Sequence, residues 1–75
     1  MSDARQAIAA AEQASADELA PEPLNEARRF LQTAEELLRE EAYGAARMNA
    51  VRAKNRAVEA LEASQEAAED EAADD

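Results

Sequence analysis

The chain has 75 residues, with 18 Asp or Glu against 8 Lys or Arg and no His, a formal charge of −10, and it contains neither Cys nor Trp. Such a composition offers no disulfide framework, no zinc site of the usual nitrogen and sulfur kind, no thiolate nucleophile and no imidazole base. A surface this negative disfavours nucleic acid phosphates and anionic lipid, and the longest apolar run, Ala7 to Ala11, falls far short of the roughly 20 residues that cross a bilayer.

Two composition rules conflict. Leu, Ile, Val and Phe fill only 10 positions, which with a high net charge points to disorder. Ala, Glu, Leu, Arg and Lys fill 49, 22 of them Ala, which points to long helices. Periodicity decides for helices. Ala4, Ala7, Ile8, Ala11 and Ala14 recur at spacings of three and four and predict a first helix over about residues 3–18 with one smooth face. Pro21 and Pro23 end it, because a continuing helix would lose hydrogen bonds there, and both are tolerated in the first turn of a new helix.

The second predicted helix, about 22–40, carries the clearest pattern: Leu24, Ala27, Leu31, Ala34 and Leu38 alternate large and small, with Phe30 and Leu37 widening the stripe. Its register breaks near the single glycine, Gly44. A third helix, about 43–68, follows with Tyr43, Ala46, Ala50, Ala53, Ala57 and Leu61 on one line and Val51 and Val58 on its flank. Alanines there let a neighbour approach closely and receive Leu and Phe side chains. Residues 69–75 are acidic, carry no apolar stripe and place negative charge at the unfavourable end of a helix. They are expected as a disordered tail beside a single domain over 1–68.

The expectation is an all-α, antiparallel three-helix arrangement, the second and third helices forming a hairpin with the first packed on it. Its core is expected from Ile8, Ala11, Leu24, Ala27, Phe30, Leu31, Ala34, Leu38, Ala46, Ala50, Ala53, Ala57 and Leu61. With so few bulky side chains the balance is marginal, and a protein partner or self-association is expected.

Ala20, Pro21, Leu24 and Ala27, then Leu31, Ala34 and Leu38, then Tyr43, Ala46 and Arg47 with Ala50, Ala53 and Ala57 behind them, resemble a bacterial domain family of unknown function. Its members are Ala-rich helical envelope proteins, many of them lipoproteins, some preceding an OmpA-like peptidoglycan-binding domain. The resemblance covers about residues 4–60. It implies a periplasmic or outer-membrane-attached helical module, held by a lipid anchor absent from this chain, and it transfers no catalytic residue. The family usually has Gly-Asp just before the turn Tyr, where Glu41 and Ala42 stand here. No basic and apolar leader and no lipidated Cys occur in this sequence, so a cytoplasmic location is expected if none was removed.

Candidate interaction residues are Tyr43, Arg47, Arg52, Lys54 and Arg56. Tyr43 either contacts a partner or plugs the gap between the second and third helices with its hydroxyl in solvent. The four cations make residues 42–58 the one positive segment, at +4, beside −8 over 59–75; they offer a patch for an acidic partner or balance carboxylates of the same chain. No aromatic interleaving supports base stacking, and no nucleic acid is expected. Glu35, Glu36, Glu40 and Glu41 lie on an exposed face without a pocket to raise a pKa, so no enzyme, cofactor or metal is expected. The leading expectation is a non-catalytic structural or protein-interaction module of the bacterial envelope. The alternatives are a carrier or sensor holding a small apolar ligand between helices and a cytoplasmic coiled-coil adaptor.

Overall fold

The computed structural model describes the backbone of residues 1–73 and the side chains of residues 1–70. Among the described residues four helices follow one another: α1 (Ser2–Gln13), the single turn α2 (Ala16–Leu19), α3 (Pro21–Arg39) and α4 (Tyr43–Ala73). There is no strand among the described residues, and the fold is all-α as expected.

Ion pairs reveal the directions. Arg5 meets Glu35 at 2.9 Å and Arg28 meets Glu12 at 2.6 Å, so α1 and α3 run antiparallel, and Arg56 reaches Glu26 at 3.0 Å, which sets α3 antiparallel to α4. α3 and α4 share the most extensive contact, while α1 leans more on α4 than on α3. The particle is a rod of 52 × 16 × 14 Å, close to the ~46 Å expected of 31 helical residues.

The inward line of α4 is made of Ala46, Ala53, Ala57, Ala60 and Ser64, all fully or almost fully shut off from solvent. Facing residues are Ala4, Ile8 and Ala11 of α1, Ala16 of α2, Ala20 at the joint, and Leu24, Ala27 and Ala34 of α3. Leu24 and Ser64 are the largest side chains fully enclosed. Backbones therefore approach closely, and dispersion between many small atoms replaces the bulk of an ordinary core.

Four expectations need correction. The first helix does not run through residue 18. It ends at Gln13, and Ser15 takes the left-handed conformation at φ 64°. Its N–H donates to the Glu12 carbonyl at 3.0 Å, and the reset turns Ala16 and Ala20 inward, 0% and 6% exposed. Their burial offsets a left-handed non-glycine residue that costs about 1 kcal/mol.

Nor does the second turn use Gly44. Glu41 is the left-handed residue there, at φ 64°, whereas Gly44 sits in the first turn of α4. The Ala42 N–H donates to the Leu37 carbonyl at 2.9 Å and the Glu41 N–H to the Leu38 carbonyl at 3.1 Å, a pair of bonds that closes a helix end and favours glycine at its left-handed position.

The acidic segment expected to be disordered is helical as far as Ala73, since nothing between Gly44 and Ala73 breaks the run of good helix formers. Asp74 and Asp75 lie outside the described residues.

Within the expected core, Leu38 is 46% exposed, because α3 ends one residue later and no side chain caps it. Phe30, Leu31, Ala50 and Leu61 are half-buried; the other members are enclosed.

Glu41→Gly should remove the strain of the left-handed position and raise the melting temperature by about 5 °C. Ala53→Leu should do the reverse: a side chain forced between touching backbones costs about 1–3 kcal/mol, and calorimetry should show a fall of about 10 °C. An unchanged melt for the second variant would refute the close approach of α4 to its neighbours.

Candidate functional site

α4 turns its first three turns toward α1 at the end of the rod where α1 begins and α3 stops. Because α1 starts at Ser2 with small residues and α3 ends at Arg39, a groove is left open there. Its volume is about 650 Å³. Met1 and Ala4 of the amino-terminal segment, Leu38, Tyr43, Ala46, Ala50 and Val51 form its apolar wall and floor, and Asp3, Arg5, Arg47, Lys54 and Asn55 form the polar rim.

Three of its apolar members are large and half exposed: Leu38 at 46%, Tyr43 at 59% and Val51 at 51%. Met48, one turn along the outer side of α4, is 57% exposed. Scattered apolar side chains need no explanation, but these four lie together on a chain that has only 13 bulky apolar residues. Tyr43 is the first residue of α4, is 59% exposed, and lines the groove beside Leu38 of α3.

The five expected interaction residues are divided by α4. Tyr43, Arg47 and Lys54 face the groove, while Arg52 and Arg56 lie on the other side with Phe30, Asn55 and Glu59 around a smaller depression of about 330 Å³. Their electrostatic states differ too. Arg56 donates to Glu59 at 2.7 Å and pairs with Glu26 at 3.0 Å. The Glu59 hydrogen bond and charge, with the Glu26 charge behind them, hold its guanidinium above the ordinary arginine value, so Arg56 acts as a clasp between α3 and α4. Arg47, Arg52 and Lys54 enter no ion pair among the described residues. The rim of the groove is thus cationic and largely uncommitted, since only Arg5 is engaged, by Glu35.

Met1, Asp3, Arg5, Met48, Val51 and Asn55 escaped the reading of the sequence as interaction residues. Val51 carried a signal, lying off the alanine line, but a flank position on an amphipathic helix is ordinarily half-buried, whereas Val51 is 51% exposed on the side of α4 turned away from that line. Among the described residues no group of three or more carboxylates converges as a metal-holding cluster, and no helix is long and apolar enough to cross a membrane.

The family pattern of a domain of unknown function (DUF4398) matches residues 1–75. The chain belongs to that family. No curated protein and no solved structure matches it.

In this DUF4398 domain the three interhelical ion pairs among the described residues are exposed, with side chains between about one third and two thirds accessible, so each contributes little. A double-mutant cycle on Glu26 and Arg56, read by chemical denaturation, should give a coupling of less than about 1 kcal/mol. A larger coupling would mean that the clasp, rather than the alanine contact, holds α3 to α4.

Proposed function

We propose that this domain is a non-catalytic protein-docking module of the bacterial cell envelope, with the groove between α1 and α4 and the adjoining outer face of α4 as its docking surface. The observation that carries the reading is the concentration of Leu38, Tyr43, Met48 and Val51, each about half exposed, beside Arg47 and Lys54, which have no ion partner among the described residues. Apolar anchors ringed by charge are the composition of a protein interface, and a helix laid into a groove is a recurrent way to fill one.

The openness of the groove favours a macromolecule over a small apolar ligand. Ala46, Ala53 and Ala57 are packed shut against their neighbours, so the space on offer lies on the surface, whereas small-molecule sites enclose most of the ligand. Envelope placement is supported by the resemblance of the Pro joint, the Leu and Ala alternation and the Tyr turn to Ala-rich envelope proteins. The absence of His and Cys and the dispersed carboxylates support a role without catalysis.

A photo-crosslinking side chain at Val51, introduced into the protein expressed from its own gene, should give a discrete protein adduct, while the same side chain at exposed Glu18 should give none. Equal labelling at both positions, or none at either, would overturn the docking reading. A fused reporter active only outside the cytoplasm should be active in the same cells; an inactive reporter would remove the envelope assignment and leave the docking surface standing.

A further inference from the structure

α4 is two-signed along one outward face. Its crest, opposite the line of Ala46, Ala53, Ala57 and Ala60, runs through Met48, Val51, Asn55, Val58 and Glu62 at spacings of 3, 4, 3 and 4, the spacing of a helix–helix seam. All are exposed except half-buried Val58. Asn55 sits on the ridge itself, bordering the large groove on one side and the small depression on the other.

The charges along this ridge are segregated. Residues 42–58 hold Arg47, Arg52, Lys54 and Arg56 and no carboxylate, while residues 59–75 hold eight carboxylates and no cation. Exposed Met48 and Val51 lie only in the basic half. Negative charge complements the cations beside them, and the acidic half of α4 offers it, with Glu62 and Glu66 exposed and in no ion pair among the described residues.

We propose that two copies of this chain associate through α4 as an antiparallel, two-fold symmetric pair, the basic half of each helix lying against the acidic half of the other. The proposal rests on the reading of the α4 face as a docking surface and names its occupant. A two-fold interface repeats every contact. With the axis between Asn55 and Val58, Asn55 meets Val58 of the partner subunit, Val51 meets the partner subunit's Glu62 through the aliphatic part of that side chain, and, since each flank of the seam meets the same flank in an antiparallel pair, Arg52 comes beside the partner subunit's Glu59 and the partner subunit's Glu66. A parallel pairing would set like charges opposite one another, which is costly. The net charge of −10 on each copy does not prevent approach, because at physiological salt the screening length is about 8 Å. Repulsion across the length of the rod is damped, while facing side chains on the seam lie well inside that distance.

Sedimentation equilibrium of the full chain at physiological salt tests this with charge swaps at exposed positions. Wild type should show a reversible dimer, and Arg52→Glu with Lys54→Glu should weaken it about tenfold or more, as should Glu62→Lys with Glu66→Lys. An equimolar mixture of the two double variants should restore the dimer, because the substituted positions then set added carboxylates on one seam against added lysines on the other. Thermal melts read by circular dichroism should show all variants helical and cooperatively folded. A wild type that stays monomeric to about 1 mM, variants that dimerise as well as wild type, or a mixture that fails to re-associate would each overturn the pairing. The docking reading is separable: an adduct at Val51 with a different protein, from a chain that remains monomeric, would keep the docking surface and discard self-pairing.

Discussion

Two helices can approach until their backbones nearly touch only where every side chain between them is small. That contact, along Ala46, Ala53, Ala57 and Ala60 of α4, organises the molecule. The neighbours that meet it each contribute one large residue at most to the enclosed core: Ile8 from α1 and Leu24 from α3. Small residues lose almost no side-chain entropy on burial and favour the helix intrinsically, so a chain poor in Leu and Phe can still order itself. The cost is sensitivity, since a dense contact between backbones has no slack to absorb an added methylene.

The same contact explains how much of the fold could be read from the sequence. A large and small alternation at Leu24, Ala27, Leu31 and Ala34 announced α3, and Pro21 and Pro23 announced its start, because apolar period and backbone chemistry are local properties. The two turns were less legible. Both use a left-handed non-glycine residue, Ser15 and Glu41, and no local preference favours Glu in that conformation; it is accepted because two hydrogen bonds from Glu41 and Ala42 close the end of α3. Gly44 was misleading for the converse reason: the one residue free to turn left-handed stands inside a helix, in open space.

The groove was legible only in part. Tyr43, Arg47 and Lys54 could be singled out as residues of unusual type in a chain of Ala and Glu, yet the walls they share with Met1, Ala4 and Leu38 arise from where α1 begins and α3 ends relative to α4. Leu38 continues the repeat of Leu24 and Leu31, and periodicity assigns all three to one face. Burial then depends on whether a neighbour is still present at that height, and at Leu38 it is not.

Charge on α4 runs against the preference of an isolated helix. The first turn of a helix favours carboxylates and the last turn favours cations, whereas α4 has no carboxylate in its first turn and no cation in its last. The helix does not gain from that order, and among the described residues the rest of the domain answers only one of the four cations, through Glu26 at Arg56. An arrangement unfavourable for α4 alone and mostly unanswered within the domain becomes favourable when a second helix of reversed direction lies across it. On the proposed pairing, the charge order and the half-exposed Met48 and Val51 have one cause: each half of the helix is covered by a surface of the opposite sign.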